Sequence, residues 1–253
     1  MTYSIALAGK GGTGKTTIAG WLVRYLIEHG MRPVLAVDAD ANANLNEVLG
    51  LEVEETLGQA REEMKKGVAT GMTKDVFMEM KLEQSLVEAE GLDLVVMGRP
   101  EGAGCYCAAN TLLTQYLDRL VKNYPYVVID NEAGMEHLSR LTTNNVDLLI
   151  IISDASRRGI LSAGRIQELT RDLRLNIEER RFIINMGKEN QFEKLYKIAE
   201  EYGLELTGVI PEDEEITDFD LQGRPTIQLA DTNPALKKAF EIFDKILPKG
   251  MPG

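Results

Sequence analysis

Gly9-Lys10-Gly11-Gly12-Thr13-Gly14-Lys15-Thr16-Thr17 is the stretch on which the fold turns. Ahead of it runs Ser4-Ile5-Ala6-Leu7-Ala8, an apolar segment that reads as a buried strand. Behind it, residues 16–29 (TTIAGWLVRYLIEH) space their apolar side chains as one helix face does. Glycines between a strand and a helix free successive backbone N–H groups, and they do so at the helix end whose dipole favours an anion. Gly11, Gly12, Thr13, Gly14, Lys15, Thr16 and Thr17 are therefore the expected nucleotide-binding residues. Lys15 serves the β- and γ-phosphates and Thr16 serves Mg²⁺. The Lys-Thr that follows the glycines separates this loop from an ordinary strand-to-helix turn.

Outward from the loop, short β-rich runs alternate with helical ones. Residues 33–38, 92–97, 126–130, 147–153, 181–185 and 206–210 join residues 4–8 to make about seven strands. Their near-continuous Val, Ile and Leu content indicates burial on both faces, as in a parallel sheet. Residues 44–90 read as a mostly helical, polar stretch, and helical connectors fit 110–122, 157–173 and 192–202. The expected fold is α/β: a doubly wound, mainly parallel sheet with helices on both faces, in a single domain, 1–253; with the glycine-rich loop it resembles the P-loop NTPases of SIMIBI type. Ligands of such sheets bind at the carboxyl ends of the strands. Near the C-terminus, Leu236, Phe240, Phe243 and Leu247 share one helical face. Because Glu241 and Asp244 dilute the neighbouring lysines, a helix packed on the domain is expected rather than a membrane anchor.

Two strand ends carry carboxylates. Asp38-Ala39-Asp40 closes the second strand: Asp38 is placed to hold a water on Mg²⁺, and Asp40 to orient the attacking water. Asp130 follows Val-Val-Ile, an apolar strand ending in a carboxylate for the metal shell. Lys15, Asp38, Asp40 and Asp130 are thus catalytic candidates, and Lys10, at the outer edge of the loop, can reach outward. Asn131-Glu132-Ala133-Gly134 continues as a segment able to respond to the γ-phosphate. A guanine-reading Asn-Lys-x-Asp would need aspartate at Lys188, so ATP/ADP is expected rather than a guanine nucleotide.

Formal net charge is −12, which argues against nucleic acid and against an anionic membrane surface as partner. No targeting pattern and no apolar run of membrane-spanning length is read, so a cytoplasmic location is expected. There are two cysteines, Cys105 and Cys107, and two histidines, His29 and His137. A disulfide across one residue is strained, and a transition-metal site must lean on the thiolates. One pair supplies two ligands. A two-fold dimer supplies four, an S₄ site suited to Zn²⁺, Ni²⁺ or Cu⁺. The alternative is a pair of buried or capping cysteines.

Lys10-Gly11-Gly12-Thr13-Gly14-Lys15-Thr16 resembles the deviant Walker A signature of the MinD/ParA/nitrogenase-iron-protein class of ATPases. The resemblance implies that Lys10 crosses a dimer interface to the partner's phosphates, and that Asp38 and Asp40 are switch aspartates. It also implies that Asn185 contacts adenine and that Pro211 and Glu212 flank the base. The run Gly-Arg-Pro-Glu-Gly-Ala-Gly-Cys-Tyr-Cys (98–107) and Asp-Asn-Glu-Ala-Gly-Met-Glu-His (130–137) resemble the CooC-type nickel-insertion ATPases. That likeness implies a metallochaperone. Its homodimer depends on nucleotide or metal, Ni²⁺ or Zn²⁺ sits on Cys105 and Cys107 of two chains, and the client is carbon monoxide dehydrogenase or acetyl-CoA synthase. Two other readings stand beside it: a MinD/ParA-like spatial organiser, and a redox ATPase with a subunit-bridging Fe–S cluster.

Overall fold

A computed structural model describes residues 2–40, 42–67, 71–98, 115–131, 145–172 and 176–248. Among them eight strands form one sheet: β1 (Tyr3–Gly9), β2 (Val34–Ala39), β3 (Leu86–Ala89), β4 (Leu92–Val96), β5 (Tyr126–Asn131), β6 (Asn145–Asp154), β7 (Asn176–Gly187) and β8 (Leu206–Pro211). The strand order is β3-β4-β2-β5-β1-β6-β7-β8. Every neighbouring pair is parallel except β3–β4. The helices are α1 (Lys15–Glu28), α2 (Leu45–Leu49), α3 (Leu57–Lys66), α4 (Lys74–Gln84), α5 (residues 115–121), α6 (Arg157–Asp172), α7 (Phe192–Glu201), α8 (Glu214–Leu221) and α9 (Pro234–Ile246).

Alternation along each strand divides the core in two. Ile5, Leu7, Val128 and Ile150 face α1 and α9, where Trp21 and Phe243 fill the layer. Ala6, Ala8, Val127 and Ile129 face the other way, toward Leu117 of α5 and Ile160 of α6. The doubly wound parallel sheet expected from the sequence is therefore present. Its eighth strand, β3, lies inside the stretch read as mostly helical. Leu86-Val87-Glu88-Ala89 is short, only partly buried, and pairs antiparallel with β4 through a turn at Gly91, φ 80°. An edge strand covered on one side needs no continuous apolar run, so nothing in its composition announced it. β7 also begins earlier than 181–185, because its first half carries Glu178, Glu179 and Arg180 at the partly exposed end of the sheet.

Helix α9 settles the reading of residues 233–247. Asn233 caps it by accepting from Leu236 N–H at 2.9 Å, Pro234 opens it, and Leu236, Ile242, Phe243 and Ile246 are buried. Its apolar face is consumed by the core. Among the described residues no helix is long and apolar enough to cross a membrane.

Candidate nucleotide site

The loop between β1 and α1 is shaped for an anion before any ligand arrives. Helices α3, α4, α8 and α9 begin with side-chain caps from Thr56, Thr73, Asp213 and Asn233. Helix α1 begins instead at Gly14, φ 80°, with no side-chain cap and no acid in its first turn. Its leading amides are left without a side-chain acceptor, which is the arrangement that phosphate oxygens satisfy. Gly12 is also left-handed, φ 78°. At Gly14 a Cβ would come within 2.3 Å of Asn185 Nδ2, so both conformation and space demand glycine.

Inside the loop, Lys10 carbonyl accepts from Thr13 Oγ1 at 2.9 Å and from Lys15 Nζ at 3.3 Å. Lys15 is buried, whereas Lys10 is exposed. The two lysines of the motif thus differ in environment: one is folded into the loop and the other is available to a second molecule. Asn185, at the end of β7, donates its Nδ2 to Thr13 carbonyl at 3.0 Å. It therefore braces the loop from a strand end two places away in the sheet, beyond β6, a role the sequence did not suggest.

The carboxylates assemble at the same edge. Asp38 and Asp130 are opposite each other in the β2–β5 register, and both are buried. Asp38 Oδ1 accepts from Asp40 N–H at 3.0 Å and its Oδ2 from Leu45 N–H at 2.9 Å, so it ties the strand end to α2. Burial pushes its carboxyl up to about 6 against the pull of those amides. Burial pushes Asp130 up to about 7, opposed by a hydrogen bond from the Thr16 hydroxyl and by Lys15. Asp130 Oδ1 has no partner. Two adjacent buried acids, one with an orphaned oxygen and one hydroxyl already giving its proton to a carboxylate, are a donor set fitted to a hard divalent cation such as Mg²⁺. Asp40 is part-buried, and its Oδ1 accepts from Asn42 N–H at 2.8 Å.

An open cleft of about 900 Å³ runs over the loop. Gly11, Gly12, Gly14, Lys15, Thr16 and Thr17 line it together with Asp40 and residues of the α2 region, and so do Met186, Asp220, Arg224 and Thr226. Pro211 and Glu212 are not in that lining. Pro211 pairs with Gly187, and Glu212 N–H donates to Gly187 carbonyl at 3.1 Å. Met186 and Arg224 are cleft residues that sequence reading missed. Met186 holds a left-handed backbone, φ 56°, and no pattern in the sequence marks either position. The readings on Cys105, Cys107 and residues 132–134 lie outside the described residues.

The CobQ/CobB/MinD/ParA nucleotide binding domain family matches residues 4–227. The chain belongs to this family. It is an ATPase of the MinD/ParA class and, within that class, of the CooC type. An uncharacterized ATP-binding protein of Methanocaldococcus jannaschii is 45% identical over 250 residues, covering 97% of this chain and 98% of that protein. The carbon monoxide dehydrogenase accessory protein CooC of Rhodospirillum rubrum is 38% identical over 183 residues, 67% of this chain and 69% of its own. Among solved structures, the MinC:MinD cell division protein complex of Aquifex aeolicus superposes with a TM-score of 0.73 at 22% identity. That match covers 99% of this chain and 98% of that one, and it concerns the fold alone.

Proposed function

We propose that this chain is an ATP-driven metallochaperone. ATP closes a homodimer, Cys105 and Cys107 of both protomers hold one metal ion, and hydrolysis releases the ion to a client nickel enzyme. The observation carrying the proposal is the Cys-x-Cys pair in a chain 38% identical to a carbon monoxide dehydrogenase accessory protein. Two thiolates per chain make half a tetrahedral site, and a two-fold axis completes it.

In the nucleotide site, the amides of the loop and of the start of α1 take the phosphate oxygens. Lys15 leaves Lys10 carbonyl for the β- and γ-phosphates. Thr16, Asp130 and Asp38 would hold Mg²⁺, which would supply positive charge against the charge that builds on the phosphates. Asp40, standing in the cleft wall, orients the attacking water. Lys10, exposed, supplies its ammonium across the interface to the partner's phosphates, where positive charge stabilises the departing phosphoryl group. Asn185 keeps the loop in register and contacts adenine, and Pro211 and Glu212 flank the base, as in the class the chain resembles. The spatial-organiser reading loses its usual membrane helix, because the apolar face of α9 is consumed by the core.

The client is tested in nickel-limited cells lacking this chain. Carbon monoxide dehydrogenase or acetyl-CoA synthase polypeptide should accumulate nickel-poor and weakly active. Wild-type protein should restore both, and the Lys15→Ala and Cys105→Ser forms neither. Full nickel loading of both enzymes in the deletion strain removes the client assignment.

A further inference from the structure

The two edges of the sheet are built differently. β8 is the last strand in the order, and among the described residues it is bonded only to β7. An open edge offers a row of backbone donors and acceptors to any extended chain, and proteins blunt such edges with short strands or with charges set along them. β3, at the opposite edge, has both devices: it is four residues long, and Glu88 within it is exposed. β8 has six residues, Leu-Thr-Gly-Val-Ile-Pro, and none is charged. Only Pro211, its last residue, lacks a donor.

A groove of about 520 Å³ lies where α7 meets the start of β8. Tyr196, Leu204 and Leu206 line it, and Tyr196 is 45% exposed, a large ring left uncovered. Glu193, Glu200 and Glu205 line it too, with a single lysine. Among the described residues none of the three carboxylates makes an ion pair. The charge extends well past the groove. Residues 188–218 hold ten acidic residues against three lysines, a net −7 out of the −12 of the whole chain. That excess disfavours a second copy of this chain, whose own edge would bring the same carboxylates, and it attracts a cationic segment. Apolar side chains of an added strand can seat on Tyr196, Leu204 and Leu206 while long cationic ones reach the glutamates. We propose that the free edge of β8 and its groove dock an extended, lysine- or arginine-rich segment of a partner protein, added to the sheet as a further strand. Backbone pairing then supplies the affinity, and the carboxylates select the partner. The surface acts independently of the nucleotide and metal readings.

The probe is an acetylated, amidated heptapeptide, Lys-Val-Lys-Val-Lys-Val-Lys, titrated into the full chain. It should bind saturably, slow hydrogen exchange at the β8 amides, and loosen as salt rises. The same peptide methylated at every backbone nitrogen keeps each charge but has no strand donor, and it should bind at least about tenfold more weakly. Glu200→Lys/Glu205→Lys should weaken the unmethylated peptide by about as much, and Tyr196→Ala by severalfold. Glu88→Lys/Glu90→Lys, the same change of charge at the other edge, should have little effect. Unchanged urea midpoints report intact folds in all three variants. No saturable binding by wild type overturns the proposal. Equal binding of the methylated peptide, or an equal loss from the two charge reversals, also overturns it, because both describe diffuse attraction to an acidic chain.

Discussion

At the scale of single residues, the loop is held by contacts reaching far along the chain. Gly14 and Asn185 are the clearest case, since the left-handed glycine leaves room for an amide that arrives 171 positions later and bonds Thr13 carbonyl. Gly14→Ala meets two penalties, a disfavoured φ and a Cβ 2.3 Å from Asn185 Nδ2. We expect it to cost about 1–3 kcal/mol in urea unfolding and to abolish ATP binding. Asn185→Ala alone should be mildly destabilising. Added to Gly14→Ala it should restore part of the stability, since only the steric penalty is relieved and the φ remains wrong. Strict additivity in that double-mutant cycle would show that the two residues do not meet. The glycines, Lys15, Thr16 and the three aspartates stand out in the sequence as candidates, because each belongs to a local pattern. That Asn185 braces the loop, or that Met186 and Arg224 line the cleft, does not stand out, because those facts depend on which distant segments the fold brings together.

At the scale of elements, legibility followed burial. β1, β5 and β6 lie at the centre of the sheet, and runs such as Val127-Val128-Ile129 and Ile150-Ile151-Ile152 have no polar alternative to hide in. β3 is an edge strand of four residues whose pairing with β4 comes from the turn at Gly91, and it escaped notice. Helix α9 shows how packing decides between two uses of one amphipathic segment. Phe243 is fully buried, and Tyr25 of α1 meets its ring edge-on at 5.5 Å between centroids. Tyr25 also donates to Asp244 at 2.6 Å, clasping the two helices. Phe243→Ala should therefore cost about 3–5 kcal/mol, as expected for a large side chain removed from a closed core. Denaturant titration followed by Trp21, the only tryptophan, measures this directly. A cost below about 1 kcal/mol would mean that α9 is peripheral and its apolar face free for another surface.

At the scale of the whole molecule, the account concerns two chains. On the proposed function, the buried Lys15 and exposed Lys10 of one motif, and two cysteines where a tetrahedral metal asks for four, would each be half of an arrangement that a second copy completes. If nucleotide closure and metal capture share one interface, each must tighten the other by the same factor, as linkage requires. The most direct test is solution mass together with bound metal per chain, taken with and without ATP. It is made on wild type and on the Cys105→Ser/Cys107→Ser double variant. The account predicts a dimer carrying one Ni²⁺ or Zn²⁺ per two chains, held more tightly with ATP, and no such metal in the double variant. One metal per single chain, surviving the loss of both cysteines and indifferent to ATP, would contradict it.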